Sequence, residues 1–122
     1  MKLNPNARGG FTLVEIMIVV SIIGLLSAIA VPNFVKARNT TQTDACLNNL
    51  RQLDGATQQW MLETGKTSTD SPDQAAVAGY LRGDTLPTCP VGKAAYVFAN
   101  PIGTGRAVTC SNVGSHPDHV LP

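Results

Sequence analysis

Residues 9–35 read GGFTLVEIMIVVSIIGLLSAIAVPNFV, and between Phe11 and Val35 the sole charged side chain is Glu15. The 21 positions from Phe11 to Val31, wound as a helix at ~1.5 Å per residue, reach about 31 Å, the thickness of a bilayer's hydrocarbon core. Apolar residues surround this helix on every side, so every side needs lipid or protein against it. Ahead of it the only charges of the first ten residues are Lys2 and Arg8, both basic, which favours retention of that end on the cytoplasmic side. Arg8-Gly9-Gly10 is small, flexible and accessible to a protease.

The rest of the 122-residue chain is of a different character. Charged residues make up 14% of the whole and hydrophobic residues 43%, with a formal net charge of +1. That length holds one ordinary domain and excludes a multidomain enzyme. The hydrophobic content excludes a wholly disordered chain. The balanced charge supplies no electrostatic footprint for nucleic acid, and Lys93 and Arg106 read as two solvated charges.

Three readings of the apolar segment compete. A secretory signal peptide accounts for the basic start and for Ala28-Ile29-Ala30 as a small-x-small cleavage pattern, but its apolar stretch is normally 7–15 residues long. A permanent single-span anchor accounts for the length, but not for Glu15 or for the two glycines. The third reading is cleavage after Gly10, which leaves the apolar helix attached and creates an ammonium on Phe11, one helical turn from Glu15. A carboxylate at membrane depth costs about 2.5–3.5 kcal/mol, so one placed there calls for a partner.

GGFTLVE at 9–15, followed by IMIVVSIIGLLSAIAVPNF, resembles the class III signal of type IV pilins and of type II secretion pseudopilins. The resemblance spans about residues 8–38: glycine before the cut, Phe11 after it, Glu15 at the fifth mature position, and Pro32 further along. It implies that a prepilin peptidase removes a leader of residues 1–10 by cutting between Gly10 and Phe11, then N-methylates Phe11. It implies that residues 11–35 wait in the bacterial inner membrane and later enter the core of a helical filament of identical subunits outside it. Glu15 then attracts the Phe11 ammonium of an adjoining subunit, and an assembly ATPase acts through an inner-membrane platform. The stretch from Gly24 to Pro32 is expected to kink, and by the resemblance to lose helicity on assembly; proline in a helix removes a donor and crowds the preceding turn. Within the family a type II secretion pseudopilin is the alternative. Major pseudopilins carry an acidic calcium loop near the C-terminus, where this chain offers only Asp118, and this favours a pilin.

Residues 36–122 form a small head. Cys46, Leu50, Leu53, Thr57 and Trp60, widened by Leu47, Ala56 and Met61, draw an apolar stripe at helical spacing. The stripe predicts an amphipathic helix over 41–64, continuous with the membrane helix and stopped by Gly65-Lys66. Such a 54-residue rod would be about 80 Å long and cannot cover its own stripe. Ser71-Pro72-Asp73-Gln74 predicts a capping box that opens a short helix through Leu81, ended by Gly83. Leu86–Pro90 is too rich in proline for regular structure, and 94–99 and 106–111 read as two strands of a hairpin. The fold class expected is α+β: a long N-terminal helix packed against a short helix and a small antiparallel sheet.

The pilin resemblance implies that a disulfide clasps the C-terminal region. Cys89–Cys110 would close a loop of roughly 21 residues, worth about 3 kcal/mol; a bridge from Cys46 is the alternative, and Cys46 otherwise acts as a small hydrophobe on the stripe. No cofactor is expected. Gly65-Lys66-Thr67 lacks the first glycine of a phosphate-binding loop, Trp60 standing in its place. Cys110, His116, Asp118 and His119 match no standard zinc spacing, so no metal is assigned. Asn39-Thr40-Thr41 is a weak sequon match, and no nucleophile, base pair of carboxylates or cofactor box predicts an enzyme. A structural subunit that polymerises is the reading this leaves.

Overall fold

Thr12 starts the dominant element: helix α1 runs from Leu13 to Thr64 without a break, through Pro32. The computed structural model describes residues 9–122; Lys2, Arg8 and most of the expected leader 1–10 lie outside the described residues. The chain divides between Ala37 and Arg38 into two units, both of which contain part of α1.

Among the described residues of the first unit, α1 has no packed face. Every residue from Phe11 to Val35 is exposed, which follows from a sequence that is apolar around its whole circumference. Its few polar side chains turn back onto the helix. Ser21 Oγ donates to the Met17 carbonyl at 2.7 Å, and Asn33 Nδ2 to the Ile29 carbonyl at 3.1 Å.

In the second unit the remaining part of α1 buries Cys46, Leu50, Leu53, Ala56, Thr57 and Trp60. Each of these positions lies three or four residues from another, so they share one face, and Leu47 and Met61 flank it half-covered. The Thr57 hydroxyl is reconciled with burial by donating to the Leu53 carbonyl at 2.8 Å. Gly65, at φ +66°, ends the helix in the left-handed region, and Lys66 N–H reaches back to the Met61 carbonyl at 2.9 Å. This six-to-one bond is the Schellman stop.

The cover over the stripe is built from short pieces. Helix α2 spans Gln74–Ala78 and contributes Val77. Strands β1 (Tyr96–Phe98) and β2 (Val108–Cys110) pair antiparallel in the register Tyr96↔Cys110, Val97↔Thr109, Phe98↔Val108. In each strand the outer two residues face the core and the middle one faces out, the period-two rule of a half-covered sheet. Thr88 and Ala95 add one bridge, and Ala99 N–H to the Ala107 carbonyl adds one bond beyond the ladder. The loop between the strands carries a cis Asn100–Pro101 bond and is held to the segment before α2 through Ile102 N–H to Asp70 O and Gly103 N–H to Ser68 O. The α+β architecture expected from the sequence is the one observed.

Two details differ. Helix α2 is capped by Asp73, whose carboxylate accepts from Ala75 N–H at 3.1 Å, and it ends at Ala78 rather than Leu81. Ser71, the expected cap, instead donates its hydroxyl to Asn100 Oδ1. The strands are three residues each rather than six, because Ala95 pairs with Thr88 and Ser111 turns its hydroxyl to the Ala95 carbonyl.

Candidate functional site

The Gly10–Phe11 bond lies just ahead of α1, in residues that are neither helix nor strand. A side-chain carbon added at Gly9 or Gly10 would meet nothing within 4 Å, and Phe11 is 86% exposed. The bond at which the sequence predicts cleavage is therefore exposed and unobstructed.

One turn further on, Thr12 and Glu15 cap the helix reciprocally. Thr12 N–H donates to Glu15 Oε2 at 2.8 Å, and the Thr12 hydroxyl to the same oxygen at 3.1 Å. Glu15 N–H donates to Thr12 Oγ1 at 3.2 Å. This is a capping box. It satisfies two backbone donors at the helix start and sets the carboxylate against the positive end of the helix dipole. The sequence reading paired Glu15 with an ammonium and missed this second role, although T-x-x-E at 12–15 carries the signal.

Gly24 and Pro32 both lie inside α1, and the helix continues through each. Proline has no N–H, so the carbonyl one turn before it, that of Ala28, lacks its usual intrahelical donor. From Phe11 to Phe34 the apolar side chains present a continuous uncovered surface, and α1 is long and apolar enough to cross a membrane.

Cys89 and Cys110 are brought together in the head, but no disulfide joins them. Cys46, Cys89 and Cys110 are all buried free thiols. His119 joins the group, and the four ligand atoms lie within 4.8 Å of one another. Burial pushes the Cys46 thiol up to about 12, and burial followed by the nearby His116 lowers the His119 imidazole below its ordinary value. His116 stacks on His119 with ring centroids 5.1 Å apart. Asp118, also considered from the sequence, is exposed and outside the group.

Residues 5–31 match the family model for the prokaryotic N-terminal methylation motif. The chain is similar to the type IV major pilin protein PilA of Myxococcus xanthus, 43% identical over 67 residues, which is 55% of this chain and 30% of that protein. It is similar to fimbrial protein Q of Moraxella bovis, 32% identical over 110 residues, 84% of this chain and 69% of that protein. Type II secretion system core protein G of Klebsiella pneumoniae is 33% identical over 60 residues, 49% of this chain and 43% of that protein. The chain thus spans under a third of the Myxococcus protein and about two thirds of the longer-matching Moraxella one. No solved structure matches it.

Proposed function

The chain belongs to the type IV pilin family, and from that premise we propose that it is a prepilin whose work is to polymerise into a pilus-like filament. The observation that carries this reading is the junction at 10–15: an accessible Gly10–Phe11 bond, a capped helix start at Thr12 and Glu15, and an apolar helix with no covered face behind them.

Prepilin peptidase cuts between Gly10 and Phe11 and methylates the new ammonium. Before the cut, Glu15 spends its Oε2 on Thr12 and draws on the helix dipole, which lowers the cost of carrying a carboxylate into the inner membrane. After it, the other carboxylate oxygen receives the Phe11 ammonium of an adjoining subunit. Such a pairing at low dielectric specifies axial register as much as it adds stability. The apolar residues from Ile16 to Val31 pack on identical helices and exchange lipid for protein of similar apolarity, so the step has little hydrophobic driving force. An assembly ATPase acting through a membrane platform supplies the work. Loss of helicity between Gly24 and Pro32 gives the packed helices their slack; Pro32→Ala is expected to alter filament symmetry or elasticity, and an unchanged filament removes that role.

The similarity to protein G keeps a pseudopilin within the family as the alternative. Its match stops at about half of this chain, whereas the Moraxella fimbrial protein matches 84%. The family is one of structural subunits rather than enzymes, and nothing in the site calls for catalysis.

The test is the mature N-terminus. Methyl-Phe11 on the main component of sheared surface filaments supports the proposal. A chain beginning at Met1 supports a simple anchor, and one beginning near Val31 supports a secreted protein; either result overturns it.

A further inference from the structure

Four segments of the head meet at one buried point, and each supplies one ligand atom. Cys46 comes from α1, Cys89 from the residue after the Thr88–Ala95 bridge, Cys110 from the end of β2, and His119 from the C-terminal tail. All four residues are at most 4% exposed. Cys46 Sγ lies 3.9 Å from Cys89 Sγ, and His119 Nδ1 lies 3.6 Å from Cys89 Sγ and 3.8 Å from Cys110 Sγ.

Those lengths match a simple geometry. A tetrahedral zinc ion with bonds of ~2.3 Å to sulfur and ~2.0–2.1 Å to nitrogen requires sulfur–sulfur edges of about 3.8 Å and sulfur–nitrogen edges of about 3.6 Å. The three distances fall within a few tenths of an ångström of these edges. A disulfide would consume two thiols and strand the third beside a buried imidazole, whereas one cation uses all four groups.

The surroundings supply hydrogen-bond donors to two of the sulfurs. Tyr96 OH donates to Cys46 Sγ at 3.5 Å, and Asn49 Nδ2 donates to the Tyr96 oxygen at 3.2 Å, which leaves the phenol proton for the sulfur. Asn112 Nδ2 lies 3.6 Å from Cys89 Sγ and also donates to the Val91 carbonyl. Outer-shell donors of this kind orient thiolate ligands and temper their charge. A cleft of about 380 Å³, with Cys110 and His119 on its wall, offers a way in.

We propose that Cys46, Cys89, Cys110 and His119 form a closed, tetrahedral Cys₃His site for a zinc-class divalent cation that staples the head. Three thiolates and an imidazole suit zinc by softness and geometry. With four protein ligands there is no open position, so the role is structural. Binding replaces three S–H bonds by sulfur–metal bonds and releases three protons to solvent; His119 coordinates through its Nδ1 lone pair with the ring proton on Nε2, and no electron moves. The site adds a clamp to a small head whose core burial is limited.

The experiment uses the full chain in detergent, purified under reductant with Zn²⁺ supplied. Elemental mass spectrometry is expected to find about one zinc per chain, with the thiols masked until a chelator is added. Co²⁺ in place of zinc is expected to give the absorption of tetrahedral cobalt together with thiolate-to-cobalt charge transfer. Cys89→Ser abolishes stoichiometric binding, and His116→Ala preserves it. Tyr96→Phe keeps the ring in the core and weakens cobalt affinity by roughly tenfold or more. A metal-free chain under these conditions, an octahedral cobalt spectrum, or full cobalt affinity in Tyr96→Phe and Cys89→Ser alike would overturn the site. So would a Cys89–Cys110 or Cys46 disulfide in chain taken directly from filaments and mapped without reduction.

Discussion

Glu15 Oε2 accepts two hydrogen bonds from Thr12, one from its N–H and one from its hydroxyl, while the N–H of Glu15 returns a third to Thr12 Oγ1. A single carboxylate therefore serves the helix start within the subunit and remains the only charge on the apolar segment. Those two duties separate by mutation. Glu15→Val keeps membrane insertion or improves it, since a charge at membrane depth costs up to roughly 2.5–3.5 kcal/mol, but it is expected to cut the yield of sheared filaments severely. Thr12→Val loses only the cap, worth about 1 kcal/mol, and is expected to leave most filament yield intact. Equal yields from wild type and Glu15→Val would remove the charge pairing between subunits.

The stripe on α1 carries the head's core. Leu53 is fully buried and Leu50 nearly so, between Cys46 and Trp60 on the same face. Leu53→Ala is expected to destabilise the head by about 2–5 kcal/mol, the range for an unrelaxed cavity at a buried leucine. Thermal unfolding of the full chain in detergent, followed by Trp60 fluorescence, measures it. Leu62→Ala is the control: Leu62 is 84% exposed, and its loss should leave the head's transition where it was.

How much of this was legible beforehand depended on whether a feature was local. The unbroken apolar run with its single Glu15 and the periodic 46–50–53–57–60 stripe are both local patterns, and together they placed both characters of α1. The Gly65 stop was legible for the same reason, since its signal sits at the helix end. The start of α2 was misjudged because the Ser71 hydroxyl is engaged by Asn100, a residue brought near only by the fold. Strand length was overestimated because Ala94–Ala99 is uniform in composition, while pairing partners decide where a strand begins. The sulfur cluster was the least legible feature. Its ligands are separated by forty-two, twenty and eight residues on four different segments, so no spacing pattern exists to be recognised.

Asp70 gives the head a measurable acid limb. Thr67 N–H donates to its carboxylate at 2.8 Å, which holds the Asp70 carboxyl below its ordinary value of 3.8. A folded-state value lowered in this way contributes stability that is present above the unfolded value and is lost as pH falls through the folded one. The turn it closes also supplies the carbonyl that binds Ile102 N–H. In Asp70→Asn the decline in melting temperature below about pH 4 is expected to flatten; an unchanged acid limb would show that the Thr67 bond carries no linkage.

Gly65 isolates a conformational cost from a steric one. It sits at φ +66°, and a side-chain carbon added there meets nothing within 4 Å. Gly65→Ala therefore introduces no clash, and its penalty is that of an L-residue in the left-handed region, about 1–2 kcal/mol. The Lys66 N–H to Met61 O bond depends on that conformation, so the loss should concentrate in the last turn of α1, where Trp60 and Met61 pack against the head's core. Amide exchange is the discriminating measurement. Lys66 and the amides of the last turn are expected to exchange faster in Gly65→Ala, while the paired amides of β1 and β2 keep their order of protection. If Gly65→Ala instead melts like wild type and protects Lys66 equally, the left-handed stop does not set the end of the helix.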